Sequence, residues 1–132
     1  MKLLLDTHIW IWSLVDPKKL HRRVAQALRA PEAEIWLSPI SLWELHVLVD
    51  RQRIQVSGDD AQAWIDSALS EAPMKEAPLT HAIVRSLAGV ETPHRDPADR
   101  FLAATAATLD LKLATADERL LQGTGYQVLS NL

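Results

Sequence analysis

The sequence predicts an α/β fold built on a mainly parallel sheet, and three observations predict it. Short apolar runs of strand length recur at 2–5, 34–37 and 111–115. Longer stretches opened by capping residues and prolines separate them. The resulting order of strand, helices, strand, helices, strand, helix, strand is that of a wound parallel sheet. The chain has 132 residues, and neither a repeat nor a low-complexity linker divides it. One domain over 1–132 is expected, since this is close to the commonest domain size.

The elements follow from local chemistry. Residues 2–5, Lys-Leu-Leu-Leu, form a buried strand that ends at Asp6. A helix follows over about 8–15. Asp16-Pro17 reads as a cap with proline at the first helical position, opening a second helix to about Ala30, before Pro31. Glu34-Ile35-Trp36-Leu37 is the second strand. Ser38-Pro39 starts a helix that runs to about Arg51, and Ser57-Gly58-Asp59-Asp60 turns into a helix over about 60–71. Pro73 stops it, residues 74–77 form a short strand, and Thr80 caps a helix to about Ala88. After a loop from Gly89 to Pro93, Asp96-Pro97 begins a helix of Ala, Leu and Thr that ends near Leu109. The strand at 111–115 leads to Asp117 and a short helix at 117–122. Gly123-Thr124-Gly125 then turns into a last strand at 127–129.

Composition narrows the chemistry. Hydrophobic residues make up 48% of the chain, enough for one core. No apolar run approaches the roughly 20 residues of a membrane helix. Asp6 and His8 interrupt the apolar start before it can serve as a signal peptide. A soluble, cytoplasmic protein is expected, with no membrane partner. There is no cysteine, which excludes disulfides, thiolate metal sites and cysteine nucleophiles. A metal would be held by oxygen or imidazole, which favours Mg²⁺, Mn²⁺ or Ca²⁺. The formal charge is −3. If Asp6, Glu44, Asp96, Asp99 and Asp117 share a pocket, the remaining surface is mildly basic, as suits brief contact with phosphate.

The acids have local and catalytic explanations side by side. Asp6 and Asp117 follow two strands, where open parallel sheets bind ligands, and either residue also suits an N-cap. Glu44 lies in an almost wholly apolar helix, Ile40-Ser41-Leu42-Trp43-Glu44-Leu45-His46-Val47. It is either paired or metal-bound, or it lies on the one wet stripe beside His46. Asp96 and Asp99 share a face at a helix start, where the helix dipole favours both. Converging carboxylates repel unless they share a cation. Thr7, Ser41 and Thr115 stand beside the acids as outer hydrogen-bond partners or as servants of their own backbone. Arg95 and Arg100 flank them, Arg100 either meeting phosphate or pairing with a site carboxylate. His8, His46 and His94 are given ordinary roles, because imidazole is not the preferred partner of Mg²⁺. The five tryptophans read chiefly as core. Ile9-Trp10-Ile11-Trp12, apolar nearly all round, is expected to be buried by its own domain or by another chain.

Four blocks of residues carry a resemblance. Leu3-Leu4-Leu5-Asp6-Thr7-His8, Ser38-Pro39-Ile40-Ser41-Leu42-Trp43-Glu44-Leu45, His94-Arg95-Asp96-Pro97-Ala98-Asp99-Arg100-Phe101-Leu102 and Leu113-Ala114-Thr115-Ala116-Asp117 occur in that order. Together they resemble the PIN-domain ribonucleases, in particular the VapC toxins of bacterial toxin–antitoxin pairs. The resemblance implies a three-layer α/β/α fold on a sheet of about five strands. It implies that Asp6, Glu44, Asp99 and Asp117 are the catalytic, metal-site acids, with Asp96 as a ligand through water or only a cap. It also implies Mg²⁺ or Mn²⁺, and hydrolysis of tRNA, rRNA or mRNA to a 3′-hydroxyl and a 5′-phosphate. A homodimer and a VapB-type antitoxin laid over the early helices complete the implied picture. Alanine at 98, where such blocks often carry a bulkier apolar residue, matters for packing only. Haloacid-dehalogenase chemistry is disfavoured, because a second aspartate would stand where His8 does. A receiver domain is disfavoured for want of its acidic pair and late lysine. The rival of another class is a catalytically silent PIN-fold interaction module.

Overall fold

The computed structural model describes residues 1–93 and 95–132. His94 and the side chain of Asp59 lie outside the described residues, so the ordinary role expected of His94 does too. Five strands form one sheet: β1 (Lys2–Leu5), β2 (Glu34–Leu37), β3 (Lys75–Glu76), β4 (Lys112–Thr115) and β5 (Gln127–Ser130). Their order is β3-β2-β1-β4-β5, and every pairing is parallel. Between them run α1 (Thr7–Val15), α2 (Arg22–Arg29), α3 (Pro39–Asp50), α4 (Ala61–Glu71), α5 (His81–Arg85), α6 (Pro97–Leu109) and α7 (Glu118–Leu121). The α/β expectation and the five-strand parallel sheet are borne out.

Strand alternation sorts the core into two layers. Leu3 and Leu5 of β1 point to one face, where they meet Trp10 of α1, Val24 of α2, Leu45 of α3 and Ile65 of α4. Leu4 points to the other, with Leu113 of β4, Leu102 and Ala106 of α6 and Leu120 of α7. All three β1 leucines are fully buried, as an apolar central strand requires. The small residues of α6 do what their size allows. Ala103 and Ala104 face Ile83 of α5 and Val90, so a second helix covers the outer side of α6. An antiparallel bridge between Glu91 and Thr124 ties the loop before α6 to the turn after α7. Gly125 makes that approach possible: its φ is +92°, and a Cβ there would collide with the Gly89 carbonyl.

The single helix expected over about 17–30 is corrected. Pro17–Lys19 forms only a 3₁₀ turn, without a side-chain cap from Asp16. Leu20 is extended, and α2 starts afresh with the His21 ring accepting from the Arg23 N–H. The break has a tertiary cause. The amide of buried Asn131 accepts from the His21 N–H at 2.6 Å and donates to the Lys19 carbonyl at 3.0 Å. The helix after Thr80 also ends earlier than expected, at Arg85, and continues as a 3₁₀ turn over Ser86–Gly89. The tryptophans do not all join the core. Trp10 is fully buried, with Trp64 edge-on to it at 5.3 Å, whereas Trp43 is 57% exposed. Both α1 and α3 are apolar nearly all round, so periodicity could not say which stripe faces out. Among the described residues no helix is long and apolar enough to cross a membrane.

Candidate active site

The strand order creates the site. From β1 the chain moves to β2 on one side, and later returns to place β4 on the other. The carboxyl ends of β1 and β4 therefore flank a topological switch point, where α/β sheets leave a crevice. Leu5 pairs with Ala114, and the Asp6 N–H extends the ladder to the Ala114 carbonyl at 2.9 Å. Asp6 thus stands next to Thr115 as the chain turns from β1 into α1.

Local hydrogen bonds fix the carboxylate of Asp6. Its Oδ1 accepts from the Thr7 N–H at 2.8 Å, and its Oδ2 accepts from the Thr115 hydroxyl at 2.6 Å. The Thr115 oxygen in turn accepts from the Asp117 N–H at 3.0 Å. One threonine therefore sets the spacing of two acids. Asp117 caps α7 through the Arg119 N–H at 2.8 Å, and its carboxylate lies 3.6 Å from the Arg119 Nε. Asp96 caps α6 through the Ala98 N–H at 2.9 Å, which places Asp99 in the first turn, buried against the sheet.

Glu44 reaches the same place from α3. Ser38 caps that helix through the Ile40 N–H, and Pro39 occupies its first turn. The Thr7 hydroxyl bonds Glu44 Oε1 and lies 2.9 Å from the buried Ser41 hydroxyl. A hydroxyl has one proton to donate. When Glu44 is ionised it claims the Thr7 proton, and Ser41 then serves as donor to Thr7. The three groups form one chain across α1 and α3.

The assembled cleft, about 420 Å³, is lined by Asp6, Glu44, Asp96, Asp99 and Asp117, with His8, Trp12, Ala116 and Arg119 at its sides. Burial pushes the Asp6 carboxyl up, with a smaller push from Asp117, against the opposing bonds from Thr115 and Thr7. Glu44 is pushed up to about 7, first by burial and then by the charges of Asp6, Asp99 and Asp96. Burial and the nearby Asp99 and Asp117 raise Tyr126 to about 12. Acids from four separate segments therefore feel one another's charge, and Asp6 and Glu44 have no ion pair among the described residues. Their side chains are not drawn into a tight cage. Among the described residues no three Asp, Glu or His groups sit close enough together to ligate one ion as a set. Their donors are all carboxylate oxygens, the ligand type a hard divalent cation takes.

The structure thus brings all five expected acids to one cleft and seats Thr7, Ser41 and Thr115 directly behind them. It does not bring Arg100 there: that side chain is half-buried, makes no ion pair among the described residues, and is absent from the cleft lining. Arg119 lines the cleft in its stead, with Trp12, whose ring lies 5.6 Å from that of His8. Sequence offered a signal for both. Trp12 is four residues after His8 on one face of α1, just beyond a strand-end acid, and Arg119 is two residues after another.

A parallel five-strand sheet with a carboxylate-lined switch point defines a class of acidic-site α/β domain, and comparison identifies which. The PIN domain family model matches residues 3–124, and the chain belongs to that family. Among curated relatives, Ribonuclease VapC22 of Mycobacterium tuberculosis is 28% identical over 119 residues, covering 89% of this chain and 88% of that protein. Among solved structures, VapBC2 from Rickettsia felis bound to a promoter DNA fragment superposes with a TM-score of 0.73 at 16% identity, covering 98% of each chain. DNA-bound VapBC from Salmonella typhimurium gives 0.71 at 18% identity, covering 100% and 99%.

Proposed function

We propose that the protein is a Mg²⁺- or Mn²⁺-dependent endoribonuclease and the toxin of a type II toxin–antitoxin module. Its cleavage of tRNA, rRNA or mRNA would restrain translation and growth. The observation that carries this is the convergence of Asp6, Glu44, Asp99 and Asp117 on one cleft at the β1/β4 switch point. The likeness to a protein named as a ribonuclease supports RNA as substrate, and the likeness to toxin–antitoxin complexes supports a VapB-type antitoxin as partner. A homodimer and a cytoplasmic location complete the proposal.

These four acids would hold the cation, with Asp96 contributing through water or only as the cap of α6. When bound, the ion neutralises charge on the phosphate and makes water a better nucleophile. The chain's own residues do the rest. Thr115 and the Thr7 N–H keep both Asp6 oxygens aimed, so the carboxylate does not reorganise when substrate enters. Thr7 and Ser41 hold Glu44 in one orientation. Glu44, raised to about 7 by burial and its acidic neighbours, would hold the cation in its ionised form. Arg119 lies beside Asp117 at the open side of the cleft, where its guanidinium would meet a phosphate. Water adds to phosphorus, the bond to the 3′-oxygen breaks, and 3′-hydroxyl and 5′-phosphate ends result.

The loose spacing of the acids favours one second reading, a silent PIN-fold module. The test is purified protein with pooled cellular RNA and Mn²⁺, against EDTA and against Asp6→Asn and Asp99→Asn. Wild type cleaves, EDTA stops it, and each variant loses at least about a hundredfold, beyond the ~10–100-fold typical of outer partners. Cleavage indifferent to EDTA and to both variants refutes the assignment. No cleavage of any RNA leaves the silent module.

A further inference from the structure

A second groove opens from the acidic cleft along α3. It has a volume of about 310 Å³ and shares Glu44 and Asp96 with the cleft. Trp43, Val47 and Arg51 stand four residues apart along one ridge of the helix, and Arg53 follows just beyond its end. Trp43 to Arg51 is a rise of about 12 Å. Val47 and Leu48 supply an apolar floor. The indole is 57% exposed, the largest such aromatic surface among the described residues, and both arginines are exposed. Neither guanidinium has an ion-pair partner among the described residues.

Leaving a tryptophan in water forfeits hydrophobic stabilisation, so the face calls for an occupant. The occupant must offer a flat apolar surface for the indole and negative charge for two arginines, and must continue into a carboxylate cleft. Single-stranded nucleic acid offers all three: a π-face on every base, a phosphate at each step, and a backbone that runs on into the cleft. We propose that this groove is the RNA subsite next to the scissile phosphate, with Trp43 stacking a base and Arg51 and Arg53 holding phosphates. It rests on the nuclease assignment, which supplies the reacting phosphate in the adjoining cleft. Base stacking is tolerant of sequence, so the groove positions the strand more than it selects it.

The test is binding of a fluorescein-labelled single-stranded RNA of random sequence to the intact protein in EDTA, followed by cleavage of the same RNA with Mn²⁺. Trp43→Ala weakens binding about tenfold and Trp43→Phe restores most of it, because the exposed ring acts by stacking. Arg51→Ala and Arg53→Ala each lower the slope of log affinity against log salt by about 0.7, one phosphate apiece. In cleavage, KM rises more than kcat falls. RNA binding by Trp43→Ala equal to that of wild type overturns the subsite, as does absence of RNA binding by wild type. Light scattering gives another way to lose: if Trp43→Ala splits a dimer without altering affinity per protomer, the face belongs to a second copy. Binding that depends on Trp43 without any cleavage by wild type sinks the nuclease assignment and keeps an RNA site. Cleavage indifferent to Trp43 and both arginines sinks only the subsite.

Discussion

Replacing Glu44 by glutamine should stabilise the metal-free protein while destroying its site. Burial and three neighbouring acids hold this carboxyl at about 7 instead of 4.5. Between those values the folded state binds more protons than the unfolded state, so stability falls as pH rises through the window. The full difference corresponds to ~3 kcal/mol at ~1.4 kcal/mol per pH decade. Glu44 is only half-buried, and solvent screening cuts this to ~1.5 kcal/mol. Glutamine removes the charge and keeps an oxygen for the Thr7 hydroxyl. In EDTA at pH 7.5, Glu44→Gln should melt about 4–8 °C higher than wild type, taking ~3–5 °C per kcal/mol for a domain of this size. At pH 5 most of the gap closes, because wild-type Glu44 is then protonated when folded. Millimolar Mn²⁺ inverts the order, since an ion that binds only the folded wild type stabilises it by mass action. Thermal melts by circular dichroism at the two pH values, with EDTA or Mn²⁺, read all of this. A variant no more stable than wild type at pH 7.5, or a gap unchanged at pH 5, refutes the reasoning.

Three further perturbations address single contacts. Thr115→Val removes the donor to Asp6 and the acceptor for the Asp117 N–H. It should cost about 1–3 kcal/mol and weaken Mn²⁺ binding about 10–100-fold by calorimetry. Trp10→Ala should cost about 3–5 kcal/mol in denaturant unfolding. Trp10→Phe should cost much less, because the buried indole Nε1 has no hydrogen-bond partner to lose among the described residues. Asn131→Ala removes both bonds that split the early helical region, at Lys19 and His21. It should cost about 2 kcal/mol in the same unfolding measurement and leave RNA cleavage within about twofold, since a contact that unmakes no cleft residue moves little in the reaction.

What sequence made legible was whatever is decided locally. Leu3, Leu4 and Leu5 identify the central strand because a run apolar on both faces can only be buried. Asp96-Pro97 and Ser38-Pro39 locate helix starts because caps act within three residues. Asp6 and Asp117 point to a crevice because strand ends do. What escaped was set at long range. Asn131 breaks the helix 110 residues before it, and no pattern near Leu20 announces that. Trp43 and Leu45 lie two positions apart in one apolar helix, yet one is largely exposed and the other fully buried. Their fates depend on where α3 meets α1, α4 and α6. Arg100, next to Asp99, read as a candidate for phosphate, but a helix position decides which face a side chain takes, and it is Arg119 that lines the cleft.

The choice that sequence leaves open at each acid, cap or ligand, dissolves at the atomic level. A carboxylate has about four acceptor positions. Asp6 uses one oxygen for the Thr7 N–H and the other for Thr115, and each oxygen retains a further lone pair. Asp117 and Asp96 likewise cap through Oδ1 alone. Capping therefore does not compete with metal binding. It holds the carboxyl plane still at the one place where strand ends and helix starts meet. A helix N-terminus also makes a negative side chain less costly, which favours carboxylates at Asp6, Asp96 and Asp117. Glu44 alone enters from the middle of a helix, without a cap to steady it. That leaves the work of orienting it to Thr7 and Ser41.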